Sequence, residues 1–240
     1  MTTVVLHNIC DCLVKKKRMK RIVTLLLALG ILTVTSPIAV ATLTEEMRRD
    51  GWVSIFNGRT LDGWRTNGAP TGFRVEDGKI IGYGDRNHLF YMEEFRNFEL
   101  KIDIKISSGG NSGVFVKSQW QIPDSPRDSP RTGFEVQVNS SHSDIRRTGS
   151  LINIINIYEA LHKDDEWFTM HIICRGNTIR VQINDKVLYT YRCPMEATPR
   201  PSRITEQNKR ISQGGFIALQ QHHQGSHVEF RNIFVRRLPN

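Results

Sequence analysis

The sequence predicts an all-β fold, a two-sheet antiparallel sandwich of the jelly-roll type. Three observations lead to this prediction. Apolar and polar residues alternate in several segments, glycines open or separate those segments, and helical periodicity is scarce. Many short strands separated by turn residues are typical of sandwiches and jelly rolls.

The clearest strand is FELKIDIKI, residues 98–106, in which every second residue from Phe98 to Ile106 is apolar. This alternation indicates a strand with one face in the core and the other in contact with solvent. Residues 178–184, TIRVQIN, alternate in the same way, and flanking segments at 167–174 and 186–193 complete a three-strand meander. Further strands are expected at 113–118, 133–139 and 215–222, each of which begins with glycine.

One short helix is expected near the start of this fold, within residues 43–51, LTEEMRRDG. Thr44 is placed to cap it, acids precede bases, and Gly51 follows, which are helix start and stop signals. Two long loops are also expected. Residues 121–133 contain three prolines, and residues 193–214 connect the meander to the last strands.

The N-terminal segment resembles a secretory signal peptide rather than part of the fold. A basic run at 15–21 precedes a 13-residue apolar run at 22–34, and Ala39 and Ala41 form a small-residue cleavage pattern. The apolar run is short for a membrane span. We therefore expect residues 1–41 to be removed, residues 42–240 to form a single domain, and the protein to be secreted or periplasmic. Met19 stands where such a peptide normally begins, so residues 1–18 are expected to be a gene-model extension. An uncleaved or lipid-attached anchor is the alternative.

The net charge of the chain depends on this leader. The first 41 residues contain six of the 33 bases and one of the 24 acids, so removing them lowers the net charge from +9 to +4. No basic stripe interleaved with aromatic residues remains, and we expect no nucleic-acid partner. No membrane span is expected after cleavage.

The two cysteines of the expected domain, Cys174 and Cys193, fall at the same end of the meander but two strands apart. Neighbouring strands lie about 4.8 Å apart. The two Cα atoms are therefore expected about 10 Å from one another, beyond the limit of about 7 Å for a disulfide. The sequence predicts two reduced thiols.

Residues 218–233, ALQQHHQGSHVEFRNI, predict a hairpin that displays polar side chains away from the core. A four-residue turn around Gly225 places Leu219 opposite Phe230, and the hydrophobic pattern supports this register. Four polar residues then share the outer face, with Gln220 opposite Glu229 and His222 opposite His227. This face is open to three interpretations: a solvated surface, a metal site with three converging ligands, or a catalytic cluster.

Two further segments contribute to the polar face. Glu135, Gln137 and Asn139 alternate with core residues in GFEVQVN, and such a row matches the paired hydroxyls of a sugar. The glycines around Asn111 in GGNSGVFVKS allow a backbone or a ligand to approach closely, and Lys117 is expected to project beside the row. The alternatives are an ordinary exposed strand, a glycine-rich turn with a bulge, and a solvated edge lysine.

Five ordered blocks of the sequence resemble the 3-keto-disaccharide hydrolase domain family. They are GWVSIFNGRTLDGW (51–64), FRVEDGKIIGYG (73–84), GGNSGVF (109–115), GFEVQV (133–138) and GFIALQQHHQGSHVEFRNIFV (215–235). The resemblance extends from about Gly51 to Leu238. It implies a concanavalin A-like jelly roll of the lectin/glucanase type in an exported bacterial protein, and a carbohydrate as substrate.

The resemblance also implies a reaction. A ketone at C3 of a sugar acidifies the proton at C2; a base removes it, the C1 substituent leaves by elimination, and water adds back. This scheme needs a base, an acid that protonates the leaving oxygen, and a cation or donors for the enolate. A divalent metal ion could serve as the electrophile. A non-catalytic carbohydrate-binding module and a cell-envelope interaction protein are the alternatives.

By this resemblance, His222 is the expected base or metal ligand and Glu135 its partner. The residues expected to orient hydroxyls or stabilise the enolate are Lys117, Gln137, Asn139, Gln220, Glu229 and Asn111. His88 is placed in a loop that could reach the rim. The chain departs from the family pattern at Asn139, where an aspartate is frequent, and at 148–154, TGSLINI, where an aromatic residue is missing.

Overall fold

The computed structural model describes residues 43–120, 133–194 and 213–239, and within them the chain forms one short helix and thirteen strands. The helix α1 is Glu45–Arg49. The strands are β1 (Trp52–Ser54), β2 (Trp64–Thr66), β3 (Phe73–Glu76), β4 (Lys79–Gly82), β5 (Asn87–Phe95), β6 (Phe98–Ile106), β7 (Ser112–Ser118), β8 (Phe134–Val138), β9 (Phe168–Arg175), β10 (Thr178–Ile183), β11 (Lys186–Arg192), β12 (Gly215–Gln221) and β13 (Val228–Arg237).

The strands form two antiparallel sheets. The eight-stranded sheet has the order β11-β10-β9-β6-β13-β4-β3, and β1 also pairs with β13. The five-stranded sheet has the order β2-β5-β12-β7-β8. This architecture confirms the predicted all-β, two-sheet sandwich.

The apolar faces of both sheets meet in one core. In β6 the side chains from Phe98 to Ile106 alternate as the sequence predicts, and the apolar set is fully buried. Val136 on β8 and Leu219 on β12 face this set from the five-stranded sheet and are also fully buried. Each such side chain contributes about 1.5–3 kcal/mol through removal from water.

The predicted helix and meander are both present. The Thr44 Oγ1 accepts a hydrogen bond from the Met47 amide at 3.1 Å, which caps α1. Strands β9, β10 and β11 follow one another in the eight-stranded sheet. Cys174 pairs with Ile179 on β10, and both Cys174 and Cys193 are buried thiols rather than a disulfide, as predicted.

The predicted hairpin of residues 218–233 is wrong. Strand β12 lies in the five-stranded sheet between β5 and β7, whereas β13 lies in the eight-stranded sheet between β6 and β4. Residues 222–227 therefore carry the chain from one sheet to the other. Alternation correctly indicates that Leu219 and Phe230 both face the core. It does not indicate whether the two strands pair in one sheet or face each other across the core from two sheets. Consequently His227 and Glu229 lie on the sheet opposite to the one that carries Gln220.

Several predictions concern residues outside the described parts of the chain. The leader of residues 1–41 and the greater parts of the two long loops, 121–132 and 195–212, belong to this group. Within the parts that are described, no helix has the length and apolarity needed to cross a membrane.

Candidate functional site

A polar cleft of about 220 Å³ lies on the outer face of the five-stranded sheet, at the end where several loops meet. Strands β8 and β12 contribute the floor, because their polar residues alternate with core residues and point away from the other sheet. The cleft is lined by Arg86, Asn111, Glu135, Gln137, Asp144, Arg146, Ile152, Asn153, Gln220 and His222.

The position of Glu135 depends on a glycine in the neighbouring strand. Strand β8 pairs with β7, which places Gly113 next to Gln137 and Phe115 next to Glu135. A Cβ atom at Gly113 would lie only 2.6 Å from the Glu135 Oε1. The carboxylate therefore occupies space that any other residue at position 113 would fill.

Arg86 and His222 are in direct polar contact in the cleft. Arg86 lies between β4 and β5, and its Nη2 is 2.5 Å from the His222 Nε2; its Nε also donates to the His222 carbonyl oxygen at 3.2 Å. Guanidinium groups only donate, so the His222 Nε2 is the acceptor. Burial, followed by the charge of Arg86, lowers the pKa of His222 to about 4. The imidazole is therefore neutral at neutral pH.

Two more histidines lie beside His222. Its Nδ1 is 3.0 Å from the Nδ1 of His223, and the ring of His142 is centred 5.8 Å and 5.4 Å from those of His222 and His223. The His223 Nδ1 also contacts the Ser226 Oγ at 2.9 Å, and the His142 Nδ1 accepts from the Asp144 amide at 3.0 Å.

This arrangement does not fit a divalent metal ion. Both nitrogens of His222 and the Nδ1 atoms of His223 and His142 contact one another, a hydroxyl, an amide or Arg86, so these four atoms do not form an open set of three converging ligands. In the described residues, no three His, Cys, Asp or Glu side chains are grouped so that they could hold a metal ion. The guanidinium of Arg86 would also repel a cation bound at His222.

The second carboxylate of the cleft, Asp144, forms a two-point ion pair with Arg146. The Arg146 Nε donates to Oδ1 at 3.0 Å and its Nη2 donates to Oδ2 at 2.6 Å. These hydrogen bonds are the main cause of the lowered pKa of Asp144. Asp144 is therefore ionised at neutral pH and is unsuited to donate a proton.

Asn139 organises the loop that carries Asp144 and Arg146. Its fully buried amide Nδ2 donates to the carbonyl oxygens of Asp144 and Arg146 at 2.7 Å and 2.9 Å. Its Oδ1 accepts from the His142 amide at 2.9 Å and from Arg147 at 3.1 Å. An aspartate could accept the last two bonds but could not donate the first two. Asparagine at this position is thus required by the loop of this chain.

The structure brings five of the eight candidate site residues together: His222, Glu135, Gln137, Gln220 and Asn111 line the cleft. Asn139 lies beneath its loop and is not among the lining residues. The other two lie elsewhere, and in each case an identifiable feature of the fold is the reason.

Lys117 does not project beside the polar row. Its backbone has φ of 58°, and the pairing of β7 with β12 shifts register at this end, so strict alternation does not extend to residue 117. The buried ammonium instead donates to the carbonyl oxygens of Arg96 and Gln213.

Glu229 lies on the outer face of the eight-stranded sheet. It forms ion pairs with Lys79 at 3.1 Å and with Lys105 at 2.9 Å. The cause is the separation of β12 from β13, which places the two polar faces on opposite sides of the sandwich. His227 contacts Glu229 at 3.3 Å and shares this location.

Sequence periodicity did not identify five residues of the cleft: Arg86, Asp144, Arg146, Ile152 and Asn153. They lie in loops, which have no period. The segment that carries Ile152 and Asn153 runs alongside β8. The Ile152 amide donates to the Glu135 carbonyl oxygen at 3.0 Å, and the Gln137 amide donates to the Ser150 carbonyl oxygen at 2.9 Å. His88, expected in a loop, is instead a buried residue of β5.

We expect the free energy of unfolding to fall as the pH drops below about 6.5. Burial, followed by the charge of Arg86, lowers the pKa of His88 to about 3, and that of His222 is about 4. In the unfolded chain both protonate near pH 6.5, so the unfolded state binds more protons between these values and is favoured by acid. Melting temperatures from pH 7 to pH 4 should fall less in His88→Phe than in the wild type, whereas parallel curves would contradict this account.

Comparison with known proteins relates the whole described sandwich to one family. Residues 51–236 match the sequence profile of the 3-keto-alpha-glucoside-1,2-lyase-like domain. A protein of Bacteroides thetaiotaomicron named 3-keto-disaccharide hydrolase is 28% identical over 79% of each chain.

Solved structures show the same architecture. A Parabacteroides distasonis protein, provisionally assigned as a glycosyl hydrolase, is 25% identical with a TM-score of 0.68, over 82% of this chain and 99% of that one. A Bacillus subtilis protein of unknown function with a galectin-like fold has a TM-score of 0.50 at 11% identity, over 75% of this chain and 92% of its own, and is similar in fold alone. The profile match covers more than half of the sequence, and the chain therefore belongs to the 3-keto-alpha-glucoside-1,2-lyase-like domain family.

Proposed function

We propose that this protein is a carbohydrate-acting hydrolase that cleaves 3-keto-glycosides by removing the proton next to the ketone. Family membership and the name of the Bacteroides relative support the substrate class. The observation that carries the proposal is the contact between a neutral imidazole and a guanidinium in one cleft. Together they supply the base and the cation that enolate formation requires.

His222 is the base in this proposal. Its Nε2 lone pair faces the Nη2 of Arg86 in the ligand-free cleft. Arg86 keeps a second attachment through Nε to the His222 carbonyl, so its Nη2 can turn to a ketone oxygen without the arginine leaving the site. This movement frees the Nε2 lone pair to accept the C2 proton when substrate is bound.

Arg86 then stabilises the enolate. Negative charge develops on the C3 oxygen as the proton leaves, and a guanidinium held against it in a partly buried site interacts strongly. The same negative charge offsets the effect of Arg86 on His222, whose basicity therefore rises as the reaction proceeds. The carboxylate of Glu135 is near enough to influence both Arg86 and Arg146, and that of Asp144 would stabilise the imidazolium that forms on His222.

The state of Asp144 makes it unsuited to be the general acid of ordinary glycoside hydrolysis. Two carboxyl groups line the cleft, as in common glycosidases, but those enzymes need one of them protonated as a general acid. The pKa of Asp144 is lowered by its hydrogen bonds with Arg146, which is the opposite of what a general acid requires.

Export to the periplasm or the exterior also belongs to the proposal. It is supported by the basic run, the short apolar run and the small residues that end at Ala41. Cleavage after Ala41 would leave Thr42 as the first residue of the mature protein.

The activity is tested with two glucosides that share one chromogenic aglycone, one with a ketone at C3 and the other with a hydroxyl. The purified protein should release the aglycone from the first and not from the second. Release from both at equal rates would contradict the role of the ketone. No release, together with retained sugar binding, would favour the alternative of a carbohydrate-binding module.

Gly113→Ala should lower turnover of the 3-keto-glucoside by about 10- to 100-fold while the melting temperature changes little. The new Cβ overlaps the end of a flexible side chain, so the Glu135 carboxylate moves and the strand does not. A shift of about 1 Å in an active site has effects of this size. In a double-mutant cycle with Glu135→Gln the two losses should not add; additive losses would mean that residue 113 acts independently of Glu135.

A further inference from the structure

Gln220 is a buried residue of the cleft whose amide oxygen is unused. Its side chain is 1% exposed and lines the cleft from the centre of the five-stranded sheet. Within the described part of the chain its Oε1 has no hydrogen-bond partner. A buried carbonyl oxygen without a donor costs about 1–3 kcal/mol, so a donor supplied by a ligand would remove a real penalty.

The other end of the same amide is engaged. The Gln220 Nε2 lies 3.3 Å from the Nε2 of His88, which stands directly opposite on β5. An amide NH₂ group only donates. The imidazole nitrogen must therefore be the acceptor, which requires His88 to be neutral at that nitrogen.

His88 is held in this role by its surroundings. It is 1% exposed, and its ring meets the edge of Phe115 at 5.2 Å between centroids in a T-shaped arrangement. Burial of the ring and then the charge of Arg86 lower the pKa of His88 to about 3, which keeps the imidazole neutral. His88 does not line the cleft, and it influences a ligand only through Gln220.

We propose that His88 is a positioning residue, which fixes the Gln220 amide so that Oε1 faces the cleft and accepts a hydrogen bond from a hydroxyl of the sugar. The inference rests on the proposed function for the class of ligand, an oxidised sugar. It adds a specificity rule: the Gln220 Oε1, which only accepts hydrogen bonds, can bind a hydroxyl of the sugar but not its ketone oxygen.

The rule orients the sugar in the cleft. The donors of the cleft include the guanidinium groups of Arg86 and Arg146 and the amide NH₂ of Asn111. The ketone, which only accepts, belongs with those donors, and one unoxidised hydroxyl belongs with Gln220. A site built to pair with a hydroxyl strongly rejects an analogue that lacks it.

The test compares the 3-keto-glucoside with its 2-deoxy, 4-deoxy and 6-deoxy analogues. In the wild type one analogue should lose about 10- to 100-fold in kcat/KM relative to the parent. Gln220→Leu and His88→Phe should both remove most of that discrimination, and His88→Gln, whose amide oxygen can accept from Gln220, should restore part of it. Circular dichroism would verify that each variant is folded.

Three results would overturn the inference: no analogue is discriminated by the wild type, discrimination survives in folded His88→Phe, or all substrates lose activity equally in that variant. If the wild type turns over no 3-keto-glycoside, the proposed activity fails. The preference for the parent sugar over each deoxy analogue can then be measured as a ratio of Kd values in NMR titrations. Discrimination in Kd that depends on His88 would then support the inference, and equal Kd values or no binding would overturn it.

Discussion

His222→Ala is expected to lower kcat for aglycone release from a 3-keto-glucoside by about 10²- to 10⁴-fold, the usual contribution of a positioned general base. The imidazole Nε2 is the group that contacts the Arg86 guanidinium at 2.5 Å. Fold stability should change little, because the ring is only partly buried.

His227→Ala is the matched control. Sequence alternation placed both histidines on one polar face, whereas in the structure His227 lies on the opposite sheet beside Glu229. Its removal should leave kcat unchanged. Equal losses in the two variants, or full activity in His222→Ala, would contradict the assignment of the base.

Asn139→Asp is expected to destabilise the fold by about 3 kcal/mol and to lower activity as well. The aspartate loses both donors to the Asp144 and Arg146 carbonyls, and each buried carbonyl without a donor costs about 1–3 kcal/mol. The ion pair that it gains with Arg147 offsets part of this cost. The loop that positions Asp144 and Arg146 should loosen. Chemical denaturation measures the change.

Asn156→Asp is the control for this substitution. Asn156 is exposed, and the same exchange at an exposed position normally changes stability by less than about 0.5 kcal/mol. An aspartate is frequent at position 139 in the family pattern, so a second outcome is informative. If Asn139→Asp were as stable as the wild type and gained metal-dependent turnover, the residue would be a ligand site and not a loop support.

The sequence predicted the strands from β6 to β13, but it did not predict β1 to β5 or the separation of β12 from β13. Alternation in β6 and β8 correctly assigned which residues face the core, because burial of one face imposes a period of two. It could not place β12 and β13, since the same pattern serves strands on either side of one core. Glu229 was misplaced for that reason.

The residues of the candidate site that lie on regular strands could be predicted from the sequence. Glu135, Gln137 and Gln220 were identified because they alternate with core residues on β8 and β12, the two strands on either side of β7. Arg86 and Asp144 were not, because loop conformation is set by specific contacts such as those of Asn139 and has no period. Lys117 was wrongly placed in the polar row because a register shift and a positive φ interrupt the alternation there, and the residue type indicates neither.

The central claim is that the C2 proton is removed before the C1 bond breaks. It is tested most directly by following hydrolysis of a 3-keto-glucoside in D₂O by NMR, at early times and against a protein-free control. The account predicts that the released sugar carries one deuterium at C2, incorporated at the rate of aglycone release, and that His222→Ala abolishes both. A released sugar that retains its C2 proton would show direct displacement at C1 and would contradict the account.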